Sequence, residues 1–328
     1  HDSFYSASII LNTLLIGLIL SKTPRYLRCY SLVLLYLAVV QLSVASSSLF
    51  VYKKVMSTPW HYVNSVCGPC RHLNWPSLCF KISTFYIAGM AHFCVLIAFC
   101  YCYRCYVIVI SRVEPKKRSV IITLVCVHLP TVAIYANFGF SHLLEREELE
   151  RAMNKSHQEY EKQRINEEML IVIDRNFSTQ LAGLWFQGII ILSCMIIATA
   201  SIRLNKILAA VEHMSLKSRK RHQNILKSLL WQSTIPALYA IFKLTYHAAI
   251  HKICCTNFLG HVPLMISAVF TALSPLFNII FTPPYGKVVF GRIFETETTK
   301  KRKKNGDVHG VDSASILLNP IDKPITSN

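Results

Sequence analysis

The sequence predicts an all-α integral membrane protein, a seven-transmembrane helix bundle with its N-terminus outside and its C-terminus inside. Three observations predict it. Of 328 residues, 52% are hydrophobic and only 16% are charged, against about 25% charged in a soluble domain, and mean hydropathy is +0.38. The apolar residues run on unbroken instead of alternating with polar ones at helix or strand period, as a soluble core would need. The net charge of +18 gathers on alternate connections.

A helix that crosses about 30 Å of hydrocarbon needs roughly 20 mostly apolar residues. Seven segments qualify, at about 3–20, 30–51, 82–110, 120–140, 184–204, 228–250 and 261–283. The first is the shortest, and because the chain opens on His1 without an initiator Met, the start of this helix is expected to be missing. A cleaved signal peptide is the poorer reading, since no basic region precedes the apolar run. The sixth span grows directly out of a cationic stretch, KSRKRHQN, and carries Pro236, while the seventh carries Pro275. Each proline removes a backbone hydrogen bond within a span and is expected to kink it, as a hinge or as a static bend. Asn278, one turn below Pro275, is expected to bond another helix. Residues 287–294, KVVFGRIF, can form an amphipathic helix along the inner surface. Residues 1–294 thus form the membrane domain, and 295–328 a basic tail expected to be disordered. Residues 143–170 lack an apolar stripe and read as a solvated helical excursion or a lid.

Orientation follows from the basic residues, which are retained on the cytoplasmic side. Connections 1–2, 3–4 and 5–6 and the tail are rich in Lys and Arg, whereas the 4–5 connection carries nine acids against six bases. Two N-x-S/T sequons, at Asn154 and Asn176, fall in that same 4–5 connection, and glycan addition needs the lumenal side. Both signals put the N-terminus outside.

The stretches SKTPRYLRCYSLVLL (21–35), CGPC (67–70), CYRCYVIV (102–109), LKSLLWQSTIP (226–236) and LSPLFNIIFTPPYGK (273–287) together resemble the nematode serpentine chemoreceptors. These belong to the seven-transmembrane G-protein-coupled receptor superfamily, and CGPC points to class delta. The resemblance runs from the first intracellular connection to the start of the tail. It departs from rhodopsin-like receptors in two places: Tyr103-Arg104-Cys105 has no acid before the arginine, and Pro275, Asn278 and Tyr285 replace the usual Asn-Pro-x-x-Tyr spacing.

The resemblance implies a chemosensory receptor that detects an extracellular small molecule and signals through a heterotrimeric G protein. It is expected in the plasma membrane, in sensory cilia if the cue is an odorant. Its ligand site would lie in the outer half of the bundle and include Tyr86, Met90, Phe93, Trp185, Phe186, Tyr239, Lys243, Tyr246, His247, Met265 and Phe270. Tyr239, Lys243, Tyr246 and His247 recur at helical spacing on one face, and an ionisable group inside a span is a functional candidate by default. The bland readings are helix packing for the aromatics and snorkelling for Lys243. G-protein coupling would fall to Arg104, Arg112, Arg219, Lys220 and Arg221, with Arg104 either snorkelling to headgroups or facing inward. Basic residues here also attract anionic inner-leaflet lipids, at roughly 1 kcal/mol each.

Of twelve cysteines, Cys67, Cys70, Cys79, Cys254 and Cys255 lie on the oxidising side. The 4–5 connection has no Cys for the bridge common in rhodopsin-like receptors, so Cys79 is expected to pair with Cys70 or Cys67. His92 and His128 are isolated in sequence, begin no metal-ligand pattern and read as core histidines, while the spacing of Cys67 and Cys70 with His61 or His72 leaves zinc as the lesser alternative to a disulfide; no metal or cofactor is expected. An enzyme is poorly supported, and no nucleic-acid partner is expected. The alternative function is a ligand-gated channel or a membrane transporter, but neither inverted repeats nor a polar file through the spans is visible.

Overall fold

The computed structural model describes residues 2–24, 27–57, 61–73, 75–107, 116–139, 169–174, 177–210, 226–227, 229–234, 237–238, 240–241, 262–282 and 284–291. It divides into one unit over His1–Gly286 and a second over Lys287–Asn328. The first unit is built from long helices: α1 (Asp2–Lys22), α2 (Arg28–Val51), α3 (Pro76–Cys105), α4 (Lys117–Gly139), α5 (Phe177–Ala210) and α7 (Val262–Phe281). Helical residues 226–227, 229–234, 237–238 and 240–241 make up what is described of α6. Four of these helices meet both the length and the hydropathy needed to cross a membrane: α1, α2, α3 and the Gln180–Ile207 part of α5. A short helix, Pro284–Gly291, begins three residues before the predicted amphipathic segment. Proline at its first turn explains the earlier start, because the missing N–H has no partner there in any case.

Helix α3 also departs from its predicted bounds, starting at Pro76 instead of residue 82. Proline again opens the helix, and its first turn projects past the apolar run. α5 has 34 residues, about 50 Å at 1.5 Å per residue, and so outruns the hydrocarbon. Hydroxyl groups within the spans are satisfied by their own helices: Thr13 donates to the Ile9 carbonyl, Ser43 to Val39, Ser47 to Ser43, Thr84 to Phe80 and Ser193 to Ile189. This back-bonding satisfies the Ser43 and Ser47 hydroxyls of the polar run SVASSS inside α2.

One feature was absent from the predicted all-helical architecture. Strands β1 (Lys53–Ser57), β2 (His61–Val66) and β3 (Met169–Asp174) form an antiparallel sheet in that order, with Lys53 opposite Val66 and His61 opposite Asp174. β-Branched residues favour such pairing, and MLIVID supplies three in a row within five consecutive apolar residues after the charged 4–5 stretch. Residues 169–170, predicted as part of the helical excursion, are strand; the rest of 143–170 lies outside the described residues.

The sheet caps one end of the bundle. There Cys70, in a 3-10 turn over Pro69–Leu73, is disulfide-bonded to Cys79 in the first turns of α3, with Cα atoms 5.9 Å apart. Cys67 stands outside that bridge. Gly68 in the CGPC stretch lies against the end of α2: a Cβ there would meet the Phe50 carbonyl oxygen at 2.5 Å and the Val51 carbonyl carbon at 2.8 Å. Backbone cannot yield as a side chain can. Gly68→Ala is therefore expected to destabilise the purified receptor by about 1–3 kcal/mol, read as a lower midpoint in thermal unfolding.

α3 is the central helix, with 72% of its best apolar window buried, against 33–39% in the other three candidate spans. A helix covered on all sides needs no amphipathic stripe. α1 lies against α7, and their contact repairs a defect. Pro275 has no N–H to donate to the Thr271 carbonyl one turn back, and Ser8 Oγ, fully buried on α1, donates to that carbonyl at 2.7 Å. Neighbouring helices thus re-satisfy a freed carbonyl. Ser8→Ala is expected to cost about 1 kcal/mol, measured by the same unfolding assay, with Ser8→Thr retaining most of it.

Candidate functional site

At the sheet end, Tyr86 on α3 bonds Ser267 on α7, and Tyr5 on α1 reaches the same hydroxyl at 3.2 Å. This hub ties three helices to one buried oxygen. Below it, Tyr86, Met90 and Cys94 of α3 pack with Val44 of α2, Phe186 and Ile190 of α5, and Ala240 of α6. The structure thus brings together Tyr86, Met90 and Phe186 from the predicted ligand set. Phe93 and Phe270 are also buried but lie outside that cluster. Trp185 and Met265, by contrast, are 52% and 46% exposed. Trp185 is next to Phe186, and adjacent helical residues point about 100° apart, so only one of the pair can face α3. Tyr239, Lys243, Tyr246 and His247 lie outside the described residues, as do Pro236, Arg112, Arg219, Lys220, Arg221, Asn154 and the second sequon residue Asn176.

At the opposite end of α3, Arg104 does not snorkel. It is 3% exposed, and its guanidinium carbon lies 3.5 Å from the centroid of the Tyr30 ring on α2. Tyr30 in turn stacks on Tyr103 at 6.1 Å, and Phe99 packs against Tyr103 at 6.3 Å. A cation over an aromatic face is favoured by the ring quadrupole, more so when water is excluded. Nε and Nη2 of Arg104 have no hydrogen-bond partner among the described residues. The aromatic shelf therefore substitutes for the missing acid of the triplet, but leaves two charged donors unused.

Between the two ends, Gln232 Nε2 on α6 donates to Asn278 Oδ1 on α7 at 2.7 Å, and Trp231 stacks on Phe277 alongside at 5.8 Å. Asn278 thus bonds across helices three residues after Pro275, inside the same helix.

His92 and His128 are not isolated. Tyr36 Oη on α2 lies 2.9 Å from His92 Nε2 and 3.0 Å from His128 Nδ1; the two rings approach at 3.2 Å, and Thr131 Oγ1 meets His92 Nδ1 at 3.0 Å. The four side chains join α2, α3 and α4 at mid-span. They line a groove of about 560 Å³ with Val39, Val40, Val44, Phe85 and Val132.

The residues that sequence reasoning missed, Tyr30, Tyr36, Thr131, Gln232 and Ser267, are all polar groups within apolar helices. Polarity inside a span was the available signal.

A bundle with a buried basic residue at one end of its central helix and an aromatic cluster toward the other is that of a seven-transmembrane receptor. The crystal structure of squid rhodopsin has the same fold, with a TM-score of 0.55 over 94% of this chain and 90% of that one, at 13% identity. The chain belongs to the serpentine type 7TM GPCR chemoreceptor family Srd, whose model matches residues 1–291. Among its relatives are the Caenorhabditis elegans serpentine receptors class delta-3, 23% identical over 89% of this chain and 86% of that one, and class delta-1, 25% identical over 90% and 80%. It is a multi-span membrane protein of a receptor family.

Proposed function

We propose that this chain is a chemosensory receptor of the plasma membrane that binds a small molecule among the helices beneath the sheet and signals through a heterotrimeric G protein at the opposite end. The sheet end is extracellular in this reading, with Asn154 and Asn176 glycosylated and the basic end facing anionic inner-leaflet lipids. The observation that carries the reading is Arg104, a buried cation with two unused donors at the end of the central helix. A charge left partly unsatisfied inside a protein is costly, and a partner that supplies acceptors after the helices separate relieves that cost. Ligand binding then needs only to favour the separated state.

The test is a ligand screen on surface-expressed receptor with a G-protein readout, repeated with Lys243→Ala and Arg104→Ala. Lys243→Ala is expected to weaken ligand potency about tenfold, the loss of one good polar contact. Arg104→Ala is expected to spare ligand binding and abolish the signal. Ligand-evoked ion flux in reconstituted vesicles without a G protein would replace this reading with a channel.

A further inference from the structure

Three helices each bring an unpartnered polar group to one depth of the bundle. Asn12 of α1, Gln41 of α2 and Ser274 of α7 are 0%, 1% and 0% exposed. Asn12 Oδ1, both polar atoms of the Gln41 amide and Ser274 Oγ have no hydrogen-bond partner among the described residues. None of the three belongs to the proposed ligand or G-protein surfaces.

Helix register brings them together. α1 and α7 run parallel, with Tyr5 meeting Ser267 and Ser8 meeting Thr271, and the same offset of 262 or 263 residues sets Asn12 against Ser274 and Pro275. α2 runs back antiparallel, and its Ala45 packs with Tyr5 and Ala268. Gln41 lies one turn before Ala45 on the same face, so it enters the seam between α1 and α7 one turn nearer to Asn12. A helical side chain leans toward the N-terminus of its own helix. Gln41 therefore leans toward the level of Asn12 and Ser274, and these two lean back toward it.

Donor counting indicates what joins them. The Ser8 carbonyl can only accept, so the Asn12 atom 2.9 Å from it is the amide nitrogen, whose other hydrogen goes to Ser8 Oγ at 3.2 Å. Ser8 Oγ gives its own proton to the Thr271 carbonyl. Asn12 Oδ1 is thus an acceptor in need of a donor, whichever way the Gln41 amide is turned. Gln41 offers two donors and an acceptor, and the Ser274 hydroxyl offers both roles. None of these atoms is within hydrogen-bond distance of another, so a bridging molecule must be small and must both donate and accept. Water does so, with about three bonds at a buried site. A cation does not fit, because α2, α3, α4, α5 and α7 contain no Asp or Glu, and an unbalanced charge in the interior is costly.

We propose that Asn12, Gln41 and Ser274 hold a buried water that donates to Asn12 Oδ1 and links α2 to the Pro275 kink. The water completes a line of hydrogen bonds. It runs from Gln41 through the water to Asn12, from Asn12 to Ser8, and from Ser8 to the Thr271 carbonyl that Pro275 leaves without its usual donor. A displacement of α2 against α1 is thereby transmitted to the bend in α7.

The test is X-ray hydroxyl-radical footprinting of the full-length receptor in lipid nanodiscs, which oxidises a buried side chain only where a bound water supplies the radical. Leu15, Leu37 and Pro275 are buried within one turn of the three polar residues and are expected to be oxidised. Leu96 and Ile97, equally buried on α3, are expected to stay silent. Gln41→Leu is expected to bring Leu15 and Pro275 down to the level of Leu96. Asn12→Ala and Gln41→Leu are each expected to lower the unfolding midpoint, and together no further than the larger single change, because either one strips the water of partners. Exchange of Na+ for choline is expected to leave the midpoint unchanged. Silence at Leu15, Leu37 and Pro275 in the natural sequence would overturn the proposal in favour of direct amide contact. A midpoint that rises with Na+ would replace the water with a cation, and additive losses would show that the side chains share no ligand. The footprint of the natural sequence needs neither a variant nor a G protein, so failure of the signalling reading would leave it standing.

Discussion

Arg104→Met is expected to abolish G-protein signalling while leaving the receptor as stable as before, or more so. The two effects have opposite origins. Arg104 is almost wholly buried over the Tyr30 ring, and two of its donors have no partner among the described residues. Replacing a buried charged group with an apolar side chain of similar length is often neutral or stabilising by about 1–4 kcal/mol, because the desolvation cost disappears while packing is kept. Loss of the cation–π contact offsets part of this, by about 2 kcal/mol in a desolvated site. Unfolding midpoint and ligand affinity are therefore expected to hold or rise, with signalling at background. A drop in both stability and affinity would show Arg104 to be a structural group. Tyr30→Leu supplies the converse test: removing the aromatic shelf frees the guanidinium, and basal signalling without ligand is expected to rise.

The second large effect concerns the bridge between Cys70 and Cys79. Cys70→Ser with Cys79→Ser is expected to destabilise the receptor by about 3 kcal/mol, the chain-entropy value for a short loop. The bridge spans a sequence separation of 9 and anchors the 3-10 turn to α3 beside Val51, Val66 and Phe80. Without it the connection that carries β1 and β2 loses its tie to the central helix. The measurable outcome is a lower unfolding midpoint and reduced surface expression, with a matching loss when the natural protein is unfolded in reductant. Cys67→Ser is the control, expected to have a small effect because Cys67 is outside the bridge.

Most spans were legible because lipid imposes a single requirement, length of apolar chain, that survives any arrangement of neighbours. Helix ends were legible only where a local rule marked them; Pro76 and Pro284 supplied such a rule and moved two boundaries. The sheet was not legible, since β3 pairs with a strand more than 100 residues earlier and its apolar run is too short to separate strand from buried helix by pattern. In the candidate site, Tyr86, Met90 and Phe186 could be placed together because residues of one bundle layer recur at helical spacing, but the same rule could not say which of Trp185 and Phe186 faces α3.

The histidine pair shows what was readable and went unread. His92 lies thirteen residues before the end of α3 and His128 eleven after the start of α4. In an antiparallel pair joined at that end, these offsets put them level within about 3 Å.

The contacts of α1 bear on how the protein is made. Polar side chains on it and just past its end reach the far end of the sequence: Tyr5 to Ser267, Ser8 to Thr271 and, one residue beyond the helix, Thr23 to Tyr285, across separations of 262, 263 and 262 residues. At a ribosomal pace of about 5–20 residues per second, the first helix waits roughly 13–50 s in the membrane before its partner emerges. During that interval a tyrosine and a serine hydroxyl lack the groups they will finally meet, which marks the nascent chain for an insertase or chaperone that shields them. A chain that stops before α7 lacks the Ser267 and Thr271 partners altogether, so a version truncated there is expected to show reduced surface expression rather than to act as a shortened receptor.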